Sequence, residues 1–469
     1  MFRSSGILLL VCAFVSVTPL RSGAQNKSET DRILRPLGNP TSPIRLKAPS
    51  TSAPFQISPV EAARPLAALP ITASINFHDF MQQVEEDNLA LAAQRYNVPI
   101  AQAQLKAAAV YPNPMFQAGY GGDVSNERQA TTYSGSLSEE VVLGGKIGDR
   151  EKAARAALEE SRASLSDYLR ALRGQAADAF IDGLAGILKL RRDVKSLQRA
   201  HQLVELNVER VRSGDTSQDS VMRSRISELE THSNLADAQS SLHQALAYLT
   251  LLMGKSRIDG LIAPAGDLES PARSFPLEGM VRQAVSTRSD VLAAEYAFQS
   301  ARANYQLTLA SRIPDITIAG NYAHLTRITN PIDTAPAWDS LGVSFSVPIP
   351  FSNFNGGAVQ TAYYQQLQAQ KSLQAARLQA EIDVRTAYEQ YTLAAEEAEL
   401  FATELVNDSD QAYKLRLFKL EKGQVTLTDV LDAHAALDQL YLDYYNALRG
   451  RAKALVALEQ AAGIWDVNF

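Results

Sequence analysis

The chain has 469 residues, with 45 Lys and Arg against 51 Asp and Glu and a formal net charge of -6. This mild negative charge, without any basic run, argues against nucleic acid as a partner. Proline is absent between Pro114 and Pro264 and again after Pro350. Such spans favour very long helices, because a proline inside a helix costs about 3 kcal/mol.

The N-terminus has the pattern of an export signal. Arg3 precedes an apolar run over residues 7–17, and small residues occupy positions 22–24, so residues 1–24 are expected to be cleaved off. The run is shorter than the ~20 apolar residues of a spanning helix, and a buried N-terminal helix is the alternative. Cys12, the only cysteine, would leave with the signal, and the mature chain would then have no thiol chemistry.

Residues 25–74 are rich in Pro, Ser, Thr and Arg, and no helical or strand periodicity survives the spacing of their prolines. This composition predicts an extended segment ahead of the ordered part of the chain.

The remaining sequence contains two halves of one pattern, which predicts two structural repeats at residues 75–264 and 265–469. At an offset of 200, Ala93, Tyr96, Ala101, Ala103 and Pro114 meet Ala293, Tyr296, Ala301, Ala303 and Pro314. At an offset of 209, Gly214, Val221, Ala238, Ala245, Leu246, Leu249 and Gly254 meet Gly423, Val430, Ala447, Ala454, Leu455, Leu458 and Gly463. Chance agreement between alanine-rich helices is the alternative to duplication.

Each half begins with a predicted helix of about thirty residues that ends at Pro112 or Pro314, since helices usually end before a proline. Two strand-like segments follow in each half: "PMFQAGYG" and "TYSGSLSEEVV", then "DITIAGNYAHL" and "WDSLGVSFSVPI". In the last segment apolar residues alternate with small polar ones. This two-residue period predicts a strand with one face in contact with water. The apolar positions are Leu341, Val343, Phe345 and Val347, and the small ones are Gly342, Ser344 and Ser346.

Very long helices are predicted next, at residues 147–212 and 356–421, each reaching roughly 100 Å at 1.5 Å per residue. Apolar residues recur along them at spacings of three and four. Each helix turns at a glycine, Gly214 or Gly423, and a second helix returns. The predicted fold class is therefore mainly α with a small β part, built on long antiparallel coiled-coil hairpins.

Four strands cannot close a barrel, and open strand edges cannot lie in lipid. Either the strands form small soluble sheets, or several copies of the chain pool them. Three copies would give a twelve-stranded transmembrane barrel wide enough to conduct, with apolar residues outside and Ser, Gly and Thr inside.

From about Ile75 to Gly463 the chain resembles the TolC-like outer membrane efflux family. Four stretches carry the resemblance: "YPNP", "LGGKIGDREKAARAA", "SVPIPFSNFNGG" and "GQVTLTDVLDA". The second and third are most similar to the heavy-metal branch of that family. Phe354 and Gly356 depart from the branch, which favours arginine and glutamine at these positions.

The resemblance implies a homotrimer whose hairpins form an α-barrel and whose strands share a twelve-stranded barrel in outer-membrane lipid of a Gram-negative bacterium. It implies a passive conduit of a tripartite, RND-type efflux system, with a periplasmic adaptor and an inner-membrane pump as partners. Heavy-metal cations are one substrate class that the resemblance implies. The hairpin tips are expected to dock on the adaptor; their residues are Arg212, Ser213, Gly214, Asp215, Thr216, Lys422, Gly423, Gln424, Val425 and Thr426.

Asp429 and Asp432 lie three residues apart, just inside the second tip. They occupy the place where the family keeps an aspartate pair at its periplasmic aperture, and in a trimer they would form two carboxylate rings that favour cations. The alternative is that both are solvated acids at a helix N-terminus. The matching positions of the first half are Ser220 and Arg223, so Arg223 is predicted to pair with an aspartate of a neighbouring hairpin and hold the gate shut.

No enzyme is predicted. The six histidines are scattered without metal-ligand spacing, and neither "GDREKAARA" nor "GYGGD" has the signature of a phosphate-binding loop. We therefore expect no catalytic residue, metal site or cofactor. A component of type I secretion or drug efflux, and an exported coiled-coil structural protein, are the alternative functions.

Overall fold

A computed structural model describes residues 71–122, 130–256, 260–269, 272–327, 335–349, 354–402 and 405–466 of the chain. The predicted export signal and the proline-rich segment up to residue 70 lie outside the described residues.

The described residues form six strands and ten helices. The strands are β1 (Ile71–Asn76), β2 (Met115–Gly122), β3 (Thr131–Val141), β4 (Leu261–Ala265), β5 (Ile316–Leu325) and β6 (Trp338–Ser346). The shorter helices are α1 (Phe77–Asp87), α2 (Leu89–Arg95), α3 (Asn97–Ala108), α6 (Leu277–Thr287) and α7 (Ser289–Ala310). The longer helices are α4 (Lys146–Arg212), α5 (Gln218–Leu252), α8 (Gly356–Ala402), α9 (Leu405–Glu421) and α10 (Leu427–Ala462).

Four strands form one antiparallel sheet in the order β2-β3-β5-β6. The register places Phe116, Leu137, Gly320 and Val343 in one row across the sheet, and Gln117, Ser136, Asn321 and Gly342 in the next row on the opposite face. One face is therefore apolar and the other carries small polar side chains, although both are exposed in a single chain. Leu341, on the apolar face, is 87% exposed. These four predicted strands are confirmed.

A second sheet of two parallel strands pairs β1 with β4. This pair was not predicted from the sequence, and it adds two strands to the four that were predicted for the large sheet. Both expected repeat boundaries, at 74/75 and 264/265, fall inside these two strands. Residues 71–74 consequently belong to the ordered part of the chain.

The predicted thirty-residue helices are each interrupted. Asn88 has extended backbone angles (φ -65°, ψ 115°) between α1 and α2, and its side-chain oxygen accepts a hydrogen bond from the Leu91 N–H at 2.9 Å. Arg288 (φ -63°, ψ 136°) separates α6 from α7 in the same way. Each interruption lets a side chain reach the end of a long helix. The Asn88 amide donates to the Leu252 carbonyl at 2.9 Å, and the Arg288 guanidinium donates to the Ala461 carbonyl at 3.2 Å.

These two contacts are equivalent in the two halves, because position 88 matches 288 at the offset of 200 and position 252 matches 461 at the offset of 209. Gly254 and Gly463 follow the two helix ends, both with positive φ. Both halves therefore end their last long helix with a side-chain hydrogen bond and a glycine of positive φ. This similarity supports a duplicated origin, and we propose residues 75–264 and 265–469 as the two repeats.

The long helices form two hairpins, which we call hairpin 1 (α4 and α5) and hairpin 2 (α8, α9 and α10). The 67 residues of α4 give a length of roughly 100 Å. Side by side, the helices next to the sheet follow the order α3-α4-α7-α8, and those of the hairpins follow the order α5-α4-α10-α9. Within the described residues, no helix combines the length and the apolar character needed to cross a membrane.

Candidate functional site at the hairpin tips

Both hairpins turn through the same hydrogen-bonded glycine motif. At the tip of hairpin 1, the Gly214 N–H donates to the Val211 carbonyl at 3.2 Å and the Asp215 N–H donates to the Arg210 carbonyl at 2.8 Å. Gly214 has a φ of 81°, a left-handed angle that glycine adopts without the penalty of a side chain.

The tip of hairpin 2 repeats this arrangement. Gly423, with a φ of 68°, donates to the Leu420 carbonyl at 3.0 Å, and the Gln424 N–H donates to the Lys419 carbonyl at 2.9 Å. A side chain added at either glycine would meet nothing within 4 Å. The predicted role of both glycines in the turns is confirmed, and both tips are open to solvent.

Helix α10 begins with a capping box. The Thr426 backbone N–H and hydroxyl donate to Asp429 Oδ2 at 2.8 and 2.7 Å, and the Asp429 N–H donates back to the Thr426 hydroxyl at 3.3 Å. These bonds from the Thr426 hydroxyl and then its backbone N–H hold the pKa of Asp429 below its usual value, so the exposed carboxylate stays ionised. Within a single chain, Asp429 therefore caps the N-terminus of helix α10.

Asp432 lies one turn further along α10 and is exposed. Its side chain makes no hydrogen bond or ion pair with any other described residue. At the tip of hairpin 1, the Ser220 hydroxyl bonds the Thr216 hydroxyl at 2.8 Å, and Arg223 Nε lies 2.9 Å from Asp219 Oδ2 in an exposed ion pair. Within a single chain, no ion pair joins the two tips among the described residues.

The two hairpins are staggered along their common axis. Ser196 of α4 lies beside His434 of α10, yet Gly214 is eighteen residues beyond Ser196 whereas Gly423 is eleven residues from His434. At 1.5 Å per residue, hairpin 1 therefore extends about 10 Å beyond hairpin 2.

The contact between the hairpins is polar and buried at the level of Ser196. Five residues form what we call the inter-hairpin cluster: Ser196 and Arg199 of α4, Tyr413 of α9, and His434 and Asp438 of α10. Arg199 Nη2 donates to Asp438 Oδ1 at 2.9 Å, and the Ser196 hydroxyl donates to Asp438 Oδ2. The His434 ring nitrogen Nε2 lies 3.3 Å from the Ser196 oxygen and 3.5 Å from Asp438 Oδ2.

The rest of the cluster packs around the imidazole. The ring of Tyr413 lies 5.6 Å from that of His434, and the guanidinium of Arg199 lies 5.9 Å from the ring of Tyr413. The sequence reading did not single out this cluster. One signal was available: His434 and Asp438 follow the apolar seam residue Val430 at intervals of four, so they interrupt a face that is otherwise apolar.

Within the described residues, no group of three or more His, Cys, Asp or Glu side chains is arranged to hold a metal ion. The tips offer exposed charged side chains, open turns and the ionised carboxylate of Asp429.

Comparison with known proteins finds similarity to outer-membrane efflux proteins. Residues 280–464 match the family model described as "Outer membrane efflux protein". The chain is 24% identical over 412 residues to the "Cobalt-zinc-cadmium resistance protein CzcC" of Cupriavidus metallidurans, covering 87% of this chain and 92% of that protein. It is 25% identical over 398 residues to the "Pyoverdine export outer membrane protein OpmQ" of Pseudomonas putida, covering 80% and 83%.

Two solved structures show the same fold. A crystal structure of CusC aligns with a TM-score of 0.70 at 16% identity, covering 85% of this chain and 98% of that one. The outer membrane protein VceC of Vibrio cholerae aligns with a TM-score of 0.67 at 17% identity, covering 82% and 95%.

Proposed function

We propose that this chain is a member of the outer membrane efflux protein family, whose model matches residues 280–464, and that three copies assemble into one channel-tunnel across the outer membrane and the periplasm. The chain is the outer-membrane channel component of a tripartite efflux system in a Gram-negative bacterium, a passive conduit that works with an adaptor and a pump. The homotrimer, the shared barrel in lipid, the export signal, the gate and the substrate class are our proposals.

The observation that carries the trimer is the pair of open edges on a single chain. Strands β2 and β6 end the sheet without further partners among the described residues, and an unpaired edge cannot lie in lipid. Helices α5, α8 and α9 lie at the edges of the helical layer and carry exposed apolar side chains, which mark an interaction surface. They include Met222, Ile226, Leu229, Leu393, Leu400, Leu415 and Phe418.

Strand number favours three copies. Two chains would supply eight strands, and a barrel of that size is filled by its own side chains. Three chains supply twelve strands and leave an open lumen lined by the small polar face that includes Ser136, Asn321 and Ser344. The apolar face, with Phe116, Leu137 and Val343, would then contact lipid.

The first expected result is a trimer in detergent that conducts ions in a planar lipid bilayer. Val343→Arg places a charge on the lipid face and should prevent membrane assembly, at a cost of about 2–4 kcal/mol per chain. Its neighbour Ser344→Arg is the matched control on the opposite face, and it should still assemble and conduct. A water-soluble monomer without conductance would favour an exported structural protein, and equal effects of the two substitutions would contradict the assignment of faces.

Heavy-metal cations are the substrate class we propose, on the basis of the similarity to the protein named for cobalt, zinc and cadmium resistance. The stretches "LGGKIGDREKAARAA" and "SVPIPFSNFNGG" support the same branch. Drug efflux and type I secretion are the alternatives, and the relative named for pyoverdine export shows that similar chains serve other cargo.

The adaptor is proposed to dock on the two tips. Residues 212–216 and 422–426 are the ends of the hairpins, and the glycine turns leave open space around them. Asp429 and Asp432 are proposed to line the aperture as two carboxylate rings. Arg223 of a neighbouring hairpin would pair with them beside Ser220. Arg223 can leave its partner Asp219 for an aspartate of a neighbouring chain, because Asp219 lies on the same helix as Arg223 and both side chains are exposed.

The expected result at this gate is a loss of charge selectivity. Asp429→Asn combined with Asp432→Asn should lower the cation preference, measured as the reversal potential in a KCl gradient. Arg223→Ala should raise the resting open probability about two- to tenfold, since exposed ion pairs are weak individually, and should leave the cation preference intact. Recordings with CoCl2 or ZnCl2 in place of KCl test the passage of metal cations.

Asp215→Asn is the matched control for the gate variants, because Asp215 lies in the tip of hairpin 1 outside the proposed rings. This substitution should change neither the cation preference nor the resting open probability. An Arg223→Ala channel that opens no more readily than the parent would refute the pairing, and an unchanged reversal potential in the double variant would refute the rings.

A further inference from the structure

The inter-hairpin cluster is built around a histidine that can take up a proton. We propose that His434 is a proton sensor whose protonation loosens the contact between hairpin 1 and hairpin 2, so that acid raises the open fraction of the conduit. This inference rests on the proposed conduit function. It uses none of the residues placed in the gate or in the docking tips.

The geometry accommodates a neutral imidazole and opposes a charged one. His434 is only 4% exposed, so water cannot solvate an imidazolium at this place. The one carboxylate within reach belongs to Asp438, and it already accepts hydrogen bonds from Arg199 and Ser196. A protonated His434 would become a second cation beside a carboxylate that Arg199 already neutralises.

The charged and titratable groups around the imidazole come from all three helices packed at this point. Helix α4 contributes Arg199, helix α9 contributes Tyr413, and helix α10 contributes Asp438. Among the described residues of α5, no charged group lies within ion-pair distance of His434. Burial lowers the pKa of His434, Asp438 raises it, and Arg199 lowers it further, with a net lowering.

The direction of the pH dependence follows from this lowering. When the hairpins separate, water reaches the imidazole and its pKa returns toward the ordinary value of about 6.5. The separated state therefore binds a proton more readily than the packed state. The contact keeps its full strength above about pH 6.5 and loses it as the pH falls toward the lowered value. Between pH 7.5 and 5.5 the shift is at most about tenfold for each chain of the trimer.

The test is the open probability of single channels from the purified trimer at pH 7.5 and pH 5.5. The parent should open more often at the lower pH, by up to about tenfold for each chain that responds. His434→Gln keeps a neutral polar side chain without a titrating group, and its open probability should be the same at both pH values. His232→Gln, on the exposed face of α5, is the matched control and should retain the response of the parent. A His434→Gln channel with the pH response of the parent would overturn the proposal.

A distance measurement decides the question without conductance or a stable His434 variant. Spin labels attached through Gln198→Cys on α4 and Ala435→Cys on α10 report the separation of the hairpins, and both positions are exposed. The only native cysteine, Cys12, lies in the predicted export signal and does not interfere with the labels in the mature chain. In the trimer, the distance should lengthen as the pH falls below about 6, and a distance independent of pH would overturn the proposal. A preparation that never conducts but shows this lengthening would refute the conduit and retain the proton sensor.

Discussion

Gly254→Ala should be among the most destabilising single substitutions in the chain. Gly254 has a φ of 67°, and a Cβ at this position would lie 2.3 Å from the backbone oxygen of Asp87. The left-handed angle costs about 1–2 kcal/mol for a residue with a side chain, and overpacking against a neighbour costs about 1–3 kcal/mol more. The expected loss in the free energy of unfolding is therefore about 2–5 kcal/mol.

Gly214→Ala is the matched control. Like Gly254, Gly214 follows a long helix, and in both turns the N–H groups of the glycine and of the next residue donate to the last carbonyls of that helix. Gly214 has a similar φ of 81°, but a Cβ there would meet nothing within 4 Å. Only the cost of the backbone angle applies, about 1–2 kcal/mol. Denaturant titration of the detergent-solubilised trimer, followed by helical circular dichroism, measures both losses. Equal losses would show that the contact with Asp87 has no energetic importance.

Arg288→Ala should cost up to about 3–5 kcal/mol, because it removes a buried guanidinium and leaves the half-buried Asp290 and the partly exposed Asp383 without their cation. The Arg288 side chain is 2% exposed and donates to both carboxylate oxygens of Asp290 at 2.7 Å and to Asp383 at 3.0 Å. Burial by itself raises the pKa of Asp290, but the hydrogen bonds and charge of Arg288 lower it more, so the net direction is down.

This ion pair gives the stability a pH dependence of known sign. The pKa of Asp290 is lower in the folded chain than the value of about 3.9 in an unfolded one. The stabilisation is therefore complete above about pH 4 and is lost as the pH falls through the lowered value. Arg385→Ala is the control, because Arg385 forms ion pairs with Glu278 and Glu381 at exposed positions and should matter little. Similar losses for the two arginines in the denaturant titration would contradict the importance of burial.

The long helices and the large sheet were predictable because their signals are local and repeated. Apolar spacings of three and four run through α4, α8 and α10, and the alternation at residues 341–346 assigns β6 its two faces. The glycine turns were equally predictable, since a residue with left-handed backbone angles at the end of a helix is most often glycine. Each of these features depends on residues close together in the chain.

The features that the sequence reading missed depend on distant partners. Strand β4 has only five residues and contains Pro264, which disfavours a strand, and it is defined by pairing with β1 nearly two hundred residues earlier. The breaks at Asn88 and Arg288 serve helix ends far along the chain. His434 was noticed only as one of several scattered histidines, because Ser196, its partner, is separated from it by 238 residues.

The stagger between the hairpins gives the proposed trimer an uneven end. Hairpin 1 extends about 10 Å further along the axis than hairpin 2. At the tip end of the trimer, three projecting tips of hairpin 1 would therefore alternate with three recessed tips of hairpin 2. An adaptor approaching this end would first contact the projecting tips around Gly214. It would reach the recessed tips around Gly423 only by inserting between neighbouring tips of hairpin 1. First attachment and access to the aspartates at 429 and 432 would then be successive events, which would let a partner bind without opening the conduit.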